Sequence, residues 1–243
     1  MPNSSPSAHP PRLLAFDTST DRLSVAVQHG AQRWLHDGEG GAQSSTVLIP
    51  AVRALLAQAG LSLHELDAIV FGRGPGSFTG LRTACAVAQG FAYGAGVPVL
   101  PVDTLLAVAQ DARTRHGATH VLALLDARMN EIYHAAYAWQ ADGWQAQGDM
   151  AVSAPETLHL PAAQATPWLL AGNVFGTYGD RLPPALADSP RVQAWPTASA
   201  LLELAPALLA AGHAVDAAQA LPLYIRDKVA KTTAERLADG GVR

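Results

Sequence analysis

No lysine occurs before Lys228 in this chain of 243 residues. A P-loop closes on Gly-Lys followed by Ser or Thr, so that phosphate motif is excluded upstream of that point. Cysteine is almost absent. Cys85 stands alone, so it makes no intrachain disulfide, which suits a reducing compartment. Within an apolar helix pattern it reads as a small buried residue rather than a nucleophile. Charged residues make up only 15% of the chain against 49% hydrophobic, a composition that builds a core and excludes general disorder. With a net charge of −4 there is no overall basic field to hold nucleic acid unaided. Residues 1–12, MPNSSPSAHPPR, lack a charged n-region and an apolar h-region, so they read as a frayed tail and not a signal peptide. Residues 84–100 are uncharged but broken by Gly, Pro and Gln89. They read as helix then strand, not as a membrane span, and the expected setting is the cytoplasm.

The most informative segment is FGRGPGSFTGLRTACAVAQGFAYG, residues 71–94. An apolar run at 68–71 reads as the end of a buried strand, and a loop with glycines at 72, 74, 76 and 80 leads into a helix of small residues. The spacing misses G-x-G-x-x-G by one residue, because Gly80 follows Gly76 one position too late. It also fails the G-x-S-x-G elbow, since Pro75 sits two before Ser77. Two readings remain. Gly74, Gly76, Ser77 and Gly80 either line an anion-holding nest at a helix start, or shape a turn built for close backbone packing.

The chain reads as two related α/β halves. Residues 13–17 form an apolar run ending in Asp17, followed by the polar turn Thr18, Ser19, Thr20, Asp21 and strand patterns at 23–28 and 32–36. About a hundred residues later, 121–126 is again an apolar run ending in an acid, Asp126, followed by the turn 127–130 and a strand pattern at 132–139. The 169–172 run leading into 173–176 parallels the run leading into the glycine loop. Helices are expected at 46–59, 79–93, 104–116 and 198–211, with Pro206 kinking or splitting the last, and a further strand at 97–102. Leu48, Val52, Leu55 and Leu56 have helical spacing, and Ser62 with Glu65 has capping-box form. The helices at 79–93 and 198–211 are taken as counterparts in the two halves. Residues 140–167 read mostly as coil and turn, which leaves the second half poorer in helix. The expected division is a tail at 1–12, lobes at 13–116 and 117–221, and a C-terminal segment at 222–243.

A duplicated lobe that begins with a hairpin is the pattern of the actin-like superfamily (the ASKHA, ribonuclease H-like architecture), where Asp17 and Thr18 would occupy a phosphate-facing turn. The turn lacks the usual glycine, and fold alone does not give function. The segments LLAFDTSTDRLSVAV, LDAIVFGRGPGSFTGLR, VLALLDARMNEIYHAAY and PLYIRDKV resemble, in order, the TsaB (YeaZ) family. The resemblance implies a non-catalytic subunit of the machinery that makes threonylcarbamoyladenosine at position 37 of tRNA. It implies pairing with a TsaD-like subunit that carries the metal and the transfer chemistry, a TsaE-like ATPase joining the complex, tRNA met indirectly, and homodimerisation. No cofactor is expected on this chain, ATP and a metal being expected on the partners. The alternatives are an actin-like ATPase and a glycoprotease-like metallopeptidase.

Candidate catalytic groups are sparse. His116 and His120 have His-x-x-x-His spacing, but Gly117 and the adjoining strand pattern argue against a shared helix face. Where the family often carries a histidine, before Leu48, this chain reads Gln43, Ser44, Ser45, Thr46. Asp17 and Asp126 are either a pair across a cleft or two strand-ending turn caps. The small residues of the helix at 79–93 would let another helix approach closely. With the helix at 46–59 beside it, as the resemblance also implies, Val52, Leu56, Thr79, Thr83, Ala88 and Ala92 are the expected partner-facing residues. Arg226, Lys228, Lys231 and Arg236 either form a solvated or partner-packed segment, or touch tRNA phosphates.

Overall fold

A computed structural model describes residues 10–141, 143–161 and 166–226. Its strands are β1 (Arg12–Asp17), β2 (Arg22–His29), β3 (Gln32–Glu39), β4 (Ala68–Gly74), β5 (Val99–Asp103), β6 (His120–Arg128), β7 (Glu131–Gln140), β8 (Gly143–Ala146), β9 (Ala151–Ser153), β10 (Leu169–Gly172) and β11 (Arg191–Gln193). Its helices are α1 (Ser44–Ala59), α2 (Phe78–Ala95), α3 (Thr104–His116), the single turn α4 (Phe175–Tyr178) and α5 (Ala198–Ala210). The tail before residue 10, and Lys228, Lys231 and Arg236, lie outside the described residues.

The repeat in the sequence is a repeat in topology. One sheet runs β3-β2-β1-β4-β5, and the other runs β8-β7-β6-β10-β11, with β9 added to β7. In each, the first two strands are antiparallel and the fourth and fifth positions are parallel to the first. This is the actin-like arrangement. The matching also corrects one equivalence. α5 follows β11 as α3 follows β5, so these two are counterparts, and the counterpart of α2 is the four-residue α4.

Alternation along the central strands decides the layers. On β1, Leu14 and Phe16 face a core closed by α1 and α2, where Leu48, Val52, Leu55 and Leu56 lie on one buried stripe. Leu13 and Ala15 face the opposite side, against Leu201, Leu202 and Ala205 of α5. In the second sheet Val121, Ala123 and Leu125 face α3. Leu122 and Leu124 face a cover of short turns bearing Leu158, Trp168, Tyr178 and Leu186. α3 and α5 therefore form a middle layer, each packed on one sheet and on the other helix. A polar cluster ties this layer together. Glu203 of α5 accepts hydrogen bonds from Gln110 (2.9 Å) and Thr114 (2.5 Å) of α3, and Gln110 in turn accepts from the Trp144 indole of β8 (2.8 Å).

Two local expectations change. α5 runs unbroken through Pro206, and the 140–167 stretch contains β8 and β9, which add an edge to β7. Ser62 does close its short turn, its N–H and hydroxyl both donating to the Glu65 carboxylate (2.8 and 2.7 Å).

Candidate functional site

The end of β1 and the glycine loop interlock. Asp17 closes the turn at 17–20, its Oδ1 accepting from the Ser19 N–H (2.8 Å) and hydroxyl (2.7 Å). The other oxygen, Oδ2, is buried with no hydrogen-bond partner among the described residues, next to Gly72 and the Thr104 methyl. Burial pushes this carboxyl up to about 7, against the downward pull of the two bonds from Ser19. Thr18 donates to the carbonyl of Gly80 (2.7 Å), the Ser77 N–H donates to the carbonyl of Ser19 (2.7 Å), and the Thr104 hydroxyl donates to the carbonyl of Pro75.

These contacts explain the glycines. A methyl group at Gly72 would overlap the Asp17 carboxylate, at Gly76 the Ser19 backbone, and at Gly80 the Thr18 carbonyl. Gly74, at φ +127°, lies against the carbonyl of Leu223 and also needs a conformation that side chains disfavour. The structure thus brings Asp17, Thr18, Gly74, Gly76, Ser77 and Gly80 together, with the chain's own backbone occupying the space beside the glycines.

A second turn mirrors the first. Asp126 accepts from the Arg128 N–H (2.7 Å) and from the Tyr178 hydroxyl (3.0 Å), and its other oxygen lies 3.1 Å from the Arg128 guanidinium. Asp17 and Asp126 are therefore both turn caps, each bonded within its own lobe. Arg128, Met129 and Asn130 all have positive φ, near 59°, 54° and 62°. Consecutive left-handed non-glycine residues cost roughly 1–2 kcal/mol each and persist only where their surroundings hold them. Here Arg181 donates to Asn130 (2.9 Å), and Arg226 contacts Met129 Sδ (3.5 Å) and pairs with Glu131.

Between the two turns is a cavity of about 260 Å³. Residues 223–226 form one wall. The Leu223 N–H donates to the carbonyl of Arg73 (2.7 Å), the Tyr224 ring packs 5.2 Å from Phe78, and Arg82 donates to the Tyr224 hydroxyl (3.1 Å). The part of the C-terminal segment that is described thus packs on the chain's own cleft.

The expected partner face needs correction. Val52, Leu56, Ala88 and Ala92 are buried in the core of the first lobe, because they point at the sheet that α1 and α2 cover. Thr79 is exposed and Thr83 partly so, the latter donating back to the Thr79 carbonyl (2.9 Å). The outward face of α2 instead carries Arg82, Ala86, Gly90, Tyr93 and Gly94, with Tyr93 86% exposed. A thin helix of Ala and Gly gives no sign in the sequence of which face is inside.

His116 ends α3 and His120 opens β6, on either side of Gly117 in its left-handed conformation. They do not share a helix face, and His120 packs edge-on against Trp168. Among the described residues no three His, Cys, Asp or Glu side chains cluster as metal ligands. One contact escapes sequence reasoning: Ser153 Oγ lies 3.0 Å from His134 Nε2, across the β9–β7 pair. Neither residue lines the cleft, and burial holds His134 below the usual histidine range. Nothing local to either residue signals a pairing nineteen positions apart.

Comparison with known proteins gives a consistent picture. Residues 35–234 match the family model described as "TsaD: tRNA N6-adenosine threonylcarbamoyltransferase". The tRNA threonylcarbamoyladenosine biosynthesis protein TsaB of Escherichia coli K12 is 36% identical over 224 residues, covering 90% of this chain and 96% of that protein. The TsaB of Haemophilus influenzae is 35% identical over 226 residues, covering 89% and 94%. The solved structure of YeaZ from Pseudomonas aeruginosa superposes with a TM-score of 0.81 at 41% identity, covering 88% of this chain and 99% of that one.

Proposed function

The chain belongs to the TsaB (YeaZ) family, and from that membership and its interlocked loop we propose that it is a non-catalytic subunit supporting a TsaD-like subunit in threonylcarbamoyl transfer to adenosine 37 of tRNA. A role in threonylcarbamoyladenosine biosynthesis goes with the family. The observation that carries the non-catalytic assignment is the occupation of the glycine loop by the turn at 17–20. The amide that an anion nest would present, at Ser77, donates to Ser19, and each loop glycine gives its space to the chain itself. One oxygen of each of the two strand-ending carboxylates, Asp17 and Asp126, likewise accepts from its own turn.

In this reading the chain needs no cofactor of its own, and ATP and a metal act on partner subunits. A TsaE-like ATPase joins the assembly, tRNA is met through the complex, and the outward face of α2 is where the TsaD-like subunit or a second copy of this chain packs. The setting is the cytoplasm; among the described residues no helix is long and apolar enough to cross a membrane.

The test is reconstitution. The purified chain is expected to co-purify with the TsaD-like protein of the same organism. It is expected to be required for tRNA modification by the mixture, and to turn over neither ATP nor peptide alone. Robust turnover by the chain alone, lost on Asp126→Ala, would instead place it among actin-like ATPases or metallopeptidases.

A further inference from the structure

α3 and α5 join the two lobes from within, by packing between the sheets. Residues 220–226 join them again, across the cleft, and the two ends of this segment are held differently.

On the first lobe the grip is on α2 and β4. Ala220 is fully buried, and its carbonyl accepts from the Gln89 amide (2.8 Å) and the Cys85 thiol (3.2 Å). The Leu223 N–H donates to the Arg73 carbonyl (2.7 Å), and the Leu223 carbonyl lies so close to Gly74 that a methyl group there would overlap it. Tyr224 packs on Phe78, and its hydroxyl accepts from Arg82 (3.1 Å). On the second lobe side chains make the hold. Ile225 packs against the core between α3 and the second sheet. Arg226 pairs with Glu131 of β7, 3.5 Å from Met129 Sδ and 5.9 Å from the Tyr133 ring.

Little of the span between the anchors is buried: Leu221 is 65% exposed and Tyr224 45%. A segment with few buried apolar contacts opens at low cost, starting where its hold is weakest. That place is the second-lobe end. The Glu131 side chain is 38% exposed, so water competes for the ion pair. Arg226 also bears on a hairpin turn whose central residues, Met129 and Asn130, both have positive φ. Such a turn favours Asn, Asp or Gly, so Met129 fits it poorly and gains from outside support.

We infer that residues 220–226 are a releasable clasp. Docked, they hold the two lobes at one separation. Released at Ile225 and Arg226, they stay attached to α2 and β4 and let the lobes move apart about the α3–α5 contact. Arg82 belongs to the outward face of α2 and bonds to Tyr224, so the clasp connects that face with the turn at 127–130. The inference concerns the chain alone and stands or falls separately from the role in tRNA modification.

The test is a distance between the lobes in the full chain. Spin labels go on Gln58→Cys of α1 and Gln145→Cys of β8, both exposed and outside the clasp, while the native Cys85 is buried. Double electron–electron resonance should give one narrow distance in the labelled parent. Arg226→Ala should add a longer population, and Glu131→Ala should add the same one. The double variant should go no further, because both changes break one pair. Hydrogen exchange should quicken at residues 127–131 in Arg226→Ala, with the Leu223 amide still protected. Circular dichroism checks the fold of each variant. An unchanged distance distribution in folded Arg226→Ala and Glu131→Ala overturns the inference. So does a longer population that comes with lost protection throughout α3 and α5, since the middle layer would then have loosened and no clasp been released.

Discussion

Asp17 shows how one buried carboxyl sets a pH dependence. Its folded-state value near 7 lies above the ordinary 3.8 because burial disfavours the charge. The folded chain therefore holds this proton more tightly than the unfolded chain. Its contribution is present in full below about pH 4 and is lost as pH rises through about 7. Some three pH units at about 1.4 kcal/mol each amount to a change on the order of 4 kcal/mol. Asp17→Asn can keep the oxygen that accepts from Ser19 while removing the titration. Denaturant melts at pH 5 and pH 8 should show the parent losing stability relative to this variant. A constant difference between the two proteins across that range would refute the assignment. The glycines of α2 make a second case at this scale. Gly80→Ala drives a methyl into the Thr18 carbonyl and should cost about 1–3 kcal/mol or more. At Gly90, in the same helix, an added methyl meets nothing within 4 Å. Gly90→Ala should therefore stabilise by about 0.5–1 kcal/mol, through helix propensity alone. Thermal melts of the two variants should move in opposite directions.

At the scale of elements, α2 has two different faces. Ala84, Ala88 and Ala92 let it lie close on its own sheet, while Ala86, Gly90 and Gly94 keep the outer face low between Arg82 and Tyr93. Close helix approach needs small residues on the facing side, and on α2 that side is open. Ala86→Trp should leave the fold intact, as circular dichroism would report, and weaken the complex with the TsaD-like subunit at least tenfold by steric overlap. Ala88→Trp should instead unfold the first lobe, because Ala88 is fully buried. An Ala86→Trp protein that elutes in complex with unchanged affinity would move the interface off this face. α4 shows the converse. Reduced to one turn, it leaves the outer face of the second sheet to be covered by Leu158, Trp168 and Leu186 from irregular segments.

For the whole molecule, the decisive feature is the shared middle layer. α3 is contiguous in sequence with the first sheet but packs on the second, and α5 does the reverse. Neither sheet keeps its inner core without a helix that leads from the other. Leu201→Ala, in the α5 core, should cost about 2–5 kcal/mol and lower the stability of both sheets together. The chain should therefore unfold in one transition by both far-ultraviolet dichroism and tryptophan fluorescence. Two separated transitions, with only one moved by Leu201→Ala, would show that the lobes fold independently.

The sequence by itself determined the local elements and their repetition. The apolar runs at 13–17 and 121–126, the turn chemistry after Asp17 and Asp126, and the helical spacing at Leu48, Val52, Leu55 and Leu56 are short-range signals, readable along the chain. The bounds of α3 agree with the expected 104–116, and Gly117, in a left-handed conformation, ends it. What only the tertiary structure decided depends on residues far apart. The glycine loop reads as a nest or a packing turn until Thr18 and Ser19 arrive against it from some sixty positions away. Which side of α2 faces outward is undecided until the sheet claims Ala88 and Ala92, since alanine is compatible with either side. The cleft wall formed by Leu223 to Arg226 joins Arg73 and Glu131 only across the folded molecule. Short-range pattern records what a segment can be, whereas burial, pairing and the shape of a cavity follow from which other segments reach it.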